Sequence, residues 1–306
     1  MSILSNIFGG FFCNKYARLI DELKENQRQH LFSQRKYMLE QQILYSNECG
    51  ITDEKYCDGQ IIVSLTTYGK RIYDVHLTIE SIMEQTMRPN RILLWLDYSF
   101  QKQSLPRALQ LLQKRGLEIM YCEDIRSYKK LIPTLKRFPN YVIITIDDDV
   151  IYEFDLLEHL IHAYQENPSY IYCHRYHKML KNNKGLLLPY NNWELVCNNI
   201  EPSHLNFATG VGGILYPPHS LDDEVLNENI FMELCPYADD VWFKAMAIKK
   251  GTLVKKVYSH SKYGEDFLLN LDAQSQSLQQ VNVGNQLNDK QLHAVLTKYS
   301  LYSLLK

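Results

Sequence analysis

The chain predicts an α/β fold, a mostly parallel sheet flanked by helices, with a helical extension at the N-terminus. From residue 61 onward, short apolar and β-branched runs alternate with amphipathic stretches, the pattern of strands and covering helices around a parallel sheet. The segment Tyr141 to Val150 is an apolar run that stops abruptly in Asp147, Asp148 and Asp149, as a central strand does where an open sheet binds its ligand. Residues 14 to 48 are instead rich in Lys, Arg, Glu, Gln and Leu. Their apolar positions, Leu19, Ile20, Leu23, Leu31, Tyr37, Leu39, Ile43 and Leu44, fall near helical spacing.

In chain order, one or two helices are expected over 14 to 48, packing or dimerising outside the sheet. The preceding Ile7, Phe8, Phe11 and Phe12 keep peripheral membrane contact open as the other reading. Strands are expected at Ile61 to Thr66, Arg91 to Leu96, Leu117 to Cys122 and Tyr141 to Ile146. Helices fall between them, at Val75 to Gln85, Leu105 to Lys114 and Lys129 to Phe138. A helix over Leu156 to Glu166 and a strand over Tyr170 to His174 follow. The asparagine-bearing stretch through Asn182, Asn183, Asn191 and Asn192 then reads as substrate-shaping loops. A helix at Asp240 to Lys249, a strand at Thr252 to Val257 and a weaker helix at Asp289 to Tyr299 complete the chain. The expected division is 1–57 extension, 58–265 main domain and 266–306 C-terminal extension.

Composition limits the partners. The 306 residues suffice for one large domain, and 33 basic against 35 acidic residues leave a net charge of −2. Nothing there calls for nucleic acid, and an anionic ligand has to be held locally. The seven cysteines, Cys13, Cys49, Cys57, Cys122, Cys173, Cys197 and Cys235, are scattered with no CxxC pair, which favours a reducing, cytoplasmic compartment. The apolar stretch at residues 3 to 13 is too short to span a bilayer and has no basic segment before it.

Four segments carry candidate chemistry. If the chain stays extended through the aspartate triplet, Asp147 and Asp149 direct oxygens to one side and share Mn²⁺ or Mg²⁺. The bland alternative is a solvated acidic turn. In SYKKLIPTLKRF, Lys129 and Lys130 precede a helix, and Lys130 is the expected phosphate partner. The segment Thr209-Gly210-Val211-Gly212-Gly213 permits close backbone approach, although it matches neither GxGxxG nor a phosphate loop. In PYADDVW, Asp239 and Asp240 stand where aspartates commonly cap a helix, while one of them remains able to face a cleft.

Taken in order, IIVSLTTYGKR, the aspartate triplet, TGVGGILYPP and ADDVWFKAM resemble nucleotide-sugar glycosyltransferases of the Rossmann-like type A fold, family 2-like, from about Ile61 to Val257. The resemblance implies donor contacts from Ser64, Thr66, Thr67, Tyr68, Arg71, Lys130 and Asp148, with metal held by Asp147 and Asp149. His260 is implied as a further metal ligand, and Gly212 and Gly213 as a wall for acceptor or donor sugar. Asp240 is the implied base, with Asp239 its alternate. The expected reaction is inverting transfer from a nucleotide-diphosphate donor, UDP-linked, to a carbohydrate or lipid-linked acceptor in surface-polysaccharide assembly. A homo-oligomer also fits. A sugar-phosphate nucleotidyltransferase and a non-catalytic carbohydrate-binding protein are the rival readings.

Overall fold

The structure, a computed structural model, describes residues 4–258, 267–270 and 287–305. Helix α1 (Leu4–Tyr45) is one continuous helix. Its C-terminal part packs on the body: Leu39 joins Leu77 and Ile151 in an apolar cluster. Arg35 pairs with Glu84 at 2.6 Å and lies over the Phe154 ring. Leu19, Ile20, Leu23 and Leu31 remain exposed. No described helix is long and apolar enough to cross a membrane.

Strand β1 (Ile61–Thr66), helix α2 (Val75–Met83), β2 (Arg91–Asp97), α3 (Arg107–Gln113) and β3 (Leu117–Cys122) follow in alternation. They lead to α4 (Ile132–Arg137), β4 (Val142–Thr145), β5 (Val150–Tyr152), α5 (Leu156–Glu166) and β6 (Ile171–Cys173). After β6 come three short strands, β7 (Tyr176–Lys178), β8 (Asn206–Ala208) and β9 (Ile214–Tyr216). The chain continues through α6 (Glu228–Leu234), α7 (Asp239–Lys250), β10 (Val254–Lys256), β11 (Phe267–Leu269) and α8 (Leu287–Lys298).

The main sheet has seven strands in the order β10-β6-β9-β4-β1-β2-β3. All neighbours run parallel except β9, which is antiparallel to both β4 and β6. The α/β class with a mostly parallel, helix-flanked sheet is therefore observed. The chain walks outward from β1 through β2 to β3, then returns to lay β4 on the other side of β1. That reversal opens a crevice at the carboxyl ends of β1 and β4, where open α/β sheets hold ligands.

Three local differences from the sequence reading bear on this crevice. The expected helix from Lys129 is divided: a 3-10 turn covers Arg126–Lys130 and α4 begins at Ile132 with Pro133 in its first turn, where a missing N–H costs nothing. The asparagine-bearing stretch is flanked by β7 and β8, which pair antiparallel as a small second sheet. The C-terminal extension is part of the main core, since Leu292, Val295 and Leu296 of α8 pack in one cluster with Val241, Trp242 and Met246 of α7.

Helix α7 ends at Gly251, whose φ of +85° closes the helix in the left-handed region that glycine occupies without strain. Within it Lys244 is 4% exposed, and its Nζ has no hydrogen-bond partner among the described residues. Ile171, Ala208, Tyr216, Phe243 and Val254 line a small cavity beside it. Burial pushes the amine down to about 7. The unfolded chain therefore binds more protons between that value and the ordinary lysine range, so folding stability rises with pH across this window. Lys244→Met is expected to raise stability, on the order of 4 kcal/mol at pH 6 and less at pH 9. Urea melts at the two pH values check this, and an equal gain at both would contradict it.

Candidate active site

The aspartate triplet is not extended. Asp148 and Asp149 form a turn between β4 and β5, so Asp147 parts from the other two. Asp147 Oδ1 lies 2.9 Å from Lys130 Nζ. Asp148 uses both oxygens on the protein, accepting from Thr67 Oγ1 at 2.6 Å and from Arg71 Nη1 at 2.7 Å. Asp149 Oδ2 lies 3.1 Å from the same Arg71 nitrogen. The pair sharing one protein cation is thus 148 and 149, while Asp147 turns to Lys130. Tyr152 holds the turn from beneath: its hydroxyl accepts from the Asp147 N–H and donates to Val211 O, each at 3.1 Å.

The end of β1 supplies the opposite wall. Ser64 is fully buried; its hydroxyl donates to Lys130 O at 2.6 Å and lies 2.8 Å from Thr134 Oγ1. It has no surface to offer a donor, which corrects the expectation that it touches one: its part is to hold the turn carrying Lys130. Thr66 donates to Trp95 O across β2. Tyr68 is exposed, with the Arg71 guanidinium 5.1 Å from its ring centre.

Lys130 joins the two acidic centres. Its buried ammonium reaches Asp147 and also lies 3.0 Å from Asp239 Oδ2. Burial works against the charged amine, but the carboxylates of Asp147, Asp239 and Asp240 outweigh it and hold the pKa well above the ordinary lysine value. Lys129 goes elsewhere, pairing with Asp124 and lying 3.8 Å from Asp97. The 3-10 turn sends adjacent lysines to different acids, which a helix drawn from Lys129 did not foresee.

Neither α7 aspartate caps its helix. Ala238 occupies the cap position without a side-chain hydrogen bond. Asp239 Oδ1 accepts from Ser127 Oγ at 2.9 Å. Asp240 is half-buried; its Oδ2 accepts from the Gly210 N–H at 3.1 Å, and its Oδ1 has no partner among the described residues. Burial, with the nearby charges of Asp239 and Asp147, raises the Asp240 carboxyl to about 7 against the pull of Lys130. Asp149 is raised to about 6 by burial and by repulsion from Asp147 and Asp148.

Gly210 makes this convergence possible. A Cβ there would sit 2.6 Å from Lys130 Nζ and 3.1 Å from Asp147 Oδ1, so only glycine lets the backbone N–H reach Asp240 beside that ion pair. Gly212 has a comparable close approach, 2.6 Å from Arg175 Cβ, and Gly213 turns the chain into β9 at φ +80°. Gly213 faces Leu156, and Gly212 faces Arg175. That arginine, which donates to Thr209 Oγ1, and His177 and Tyr190 beside it are residues the sequence reading missed; no spacing signal links a side chain after β6 to a glycine turn more than thirty positions later.

Among the described residues, no group of three or more His, Cys, Asp or Glu is arranged to hold a metal ion, and His260 lies outside the described residues. Asp147, with 31% of its side chain exposed, is the most open of the triplet. It and Asp149, raised by burial and by repulsion from Asp147 and Asp148, are carboxylates of the kind a Mg²⁺- or Mn²⁺-type ion takes. Such ions rest on one or two carboxylates and complete their shell with water and phosphate oxygens.

No family model and no curated protein matches the chain. Among solved structures, CMP:2-keto-3-deoxy-manno-octonic acid synthetase complexed with CTP aligns over 76% of this chain and 99% of its own, at 11% identity and a TM-score of 0.40. S. aureus TarS 1–349 aligns over 78% of this chain and 70% of its own, at 15% identity and a TM-score of 0.44. Likenesses at this level carry no argument about activity.

Proposed function

We propose that the chain is an inverting glycosyltransferase, moving a sugar from a nucleoside-diphosphate donor, UDP-linked, to a hydroxyl of a carbohydrate or lipid-linked acceptor. One observation carries the reading: two acidic centres some ninety residues apart in sequence meet at Lys130, beside the crevice of the sheet reversal. The triplet side, with Thr67, Arg71 and Asp147 to Asp149, takes the donor diphosphate. The α7 side offers Asp240, a carboxylate with a raised pKa and one uncommitted oxygen among the described residues, suited to accept a proton from an attacking hydroxyl.

Asp147 and Asp149 would hold a divalent ion, which would supply charge neutralisation of the diphosphate. Arg71 and Lys130 add fixed positive charge in the same region. Surface-polysaccharide assembly is the proposed setting. The exposed Leu19, Ile20 and Leu23 of α1 support contact with a second copy of the chain or with a membrane surface.

The test is a thermal-shift panel of nucleotide sugars with and without Mn²⁺, followed by a transfer assay on the stabilising donor. Cation-dependent stabilisation and release of nucleoside diphosphate are expected. Pyrophosphate release from a sugar phosphate and a nucleoside triphosphate would replace this reading with a nucleotidyltransferase. Sugar binding without turnover on any donor would leave a carbohydrate-binding protein.

A further inference from the structure

Helix α1 shows the body one side and solvent another. Leu39 and Ile43 are buried against the body, and Phe32 is partly buried with Leu39. At 3.6 residues per turn, the side roughly opposite, an arc of about 140°, carries Ile20, Leu23, Leu31, Met38, Leu44 and Tyr45. All six are exposed, Leu23 at 61% and Tyr45 at 77%. From Leu19 to Tyr45 this arc holds no Asp, Glu, Lys or Arg; its polar positions are Asn, Gln and His. The solvent side of a helix packed on one face ordinarily carries the charges. On α1 the charges are displaced to the flanks.

The uncharged side also repeats every seven residues. Leu31, Met38 and Tyr45 form one such row, and Gln27, Gln34 and Gln41 another beside it. A period of seven keeps one stripe turned to a partner helix as two helices wind round each other. The stripe from Leu19 to Tyr45 is about 40 Å long. Of the described side chains from Leu19 to Leu31, every one but Glu25 is exposed. That stretch therefore has little of the tertiary packing from which helices in proteins draw most of their stability.

We propose that α1 pairs with α1 of a second copy of this chain as a parallel, in-register coiled coil, with the uncharged stripe from Leu19 to Tyr45 as its seam. The flanks decide both partner and direction. Lys24 borders the stripe on one side, with Arg35 further along the same flank, whereas Glu22 and Glu40 lie on the other. In a parallel pair the unlike flanks of the two copies meet, bringing Lys24 of each nearly level with Glu22 of the other. An antiparallel pair would set like flanks together. An anionic lipid surface calls for Lys and Arg beside the apolar face, and the flank of Glu22 and Glu40 repels it. The glutamine row fixes the register, as polar seam residues do. Each helix carries its body on the side away from the seam, so the two bodies stand on opposite outer faces. The pairing stands apart from the reaction assigned to the crevice.

Sedimentation equilibrium of the full chain at micromolar concentration is expected to give twice the 36.0 kDa of one chain. Leu23→Glu combined with Met38→Glu is expected to weaken the dimer about 100-fold or more, since it buries unpaired charge in the seam. Both positions are exposed, and near-ultraviolet circular dichroism checks that the body stays folded. Lys24→Glu or Glu22→Lys alone should weaken the dimer about tenfold at low salt, and the two together should restore it. A single-chain mass at every concentration overturns the proposal, as does an undiminished dimer in the Leu23 and Met38 variant. Single charge reversals that leave the dimer unchanged overturn the parallel pairing. Binding of a monomeric chain to vesicles of phosphatidylcholine and phosphatidylglycerol, lost in the Leu23 and Met38 variant, would give the stripe to lipid instead.

Discussion

Asp240→Asn is expected to lower transfer turnover about 100- to 10,000-fold, the usual contribution of a positioned general base, while donor-dependent thermal stabilisation persists. The amide keeps the shape and an oxygen to accept the Gly210 N–H, so the loss falls on proton removal rather than on architecture. The pH profile provides a second readout. A base works deprotonated, and the Asp240 carboxyl is raised to about 7, so wild-type turnover should climb with pH through that region and the limb should disappear in the residual activity of the variant. Stability moves the opposite way. The folded chain holds this proton at pH values where the unfolded chain has released it, so Asp240 lowers stability as pH rises from about 4 to about 7. Melts of Asp240→Asn should be flatter over that window and higher than wild type at pH 8. Near-normal turnover in the variant would remove Asp240 from the role.

Lys130→Met should cost about 3 kcal/mol of stability at pH 8, because it leaves Asp147, Asp239 and Asp240 facing one another without their shared cation. The wild-type lysine, with its folded pKa raised, contributes fully at every pH below the ordinary lysine value and loses that contribution only as pH rises through the folded value. In the variant the carboxylates hold protons more strongly, so its deficit should shrink at pH 5. Urea melts at pH 5 and pH 8 decide it, and a pH-independent deficit would point to lost packing instead. Donor-induced stabilisation should fall in parallel, since the same ammonium fixes Asp147.

The parts of the site that the sequence made legible are those in which local pattern and chemistry coincide. The strand β1 reads as Ile61 to Thr66 and is found there, because a continuous apolar run bounded by polar residues has few other uses in a chain of this composition. Helix α5, Leu156 to Glu166, is equally plain from its amphipathic spacing. The strands β7, β8 and β9 were not read, since each is three residues long and, unlike the equally short β6 and β10, follows no helical pattern that would frame it. The expected pairing of Asp147 with Asp149 rested on extended chain. The turn at 148 and 149 gives each its own protein cation instead, Lys130 for Asp147 and Arg71 for Asp149, because the side-to-side alternation of a strand lasts only as long as the strand.

By itself the sequence determined the α/β class, the order of the central elements, and the carboxylates that end β4 and open α7. Local propensity and hydrophobic alternation settle such matters within a few residues of chain. The tertiary structure alone decided that Asp147 and Asp239 share Lys130, that Ser64 supports it from within the core, and that α8 completes the core beneath α7. It also decided that Arg175 and His177 meet beside Gly210 and Asp240. These are contacts between distant segments, set by how the sheet reverses at β1 and β4 and by a glycine small enough to let an ion pair lie against the backbone.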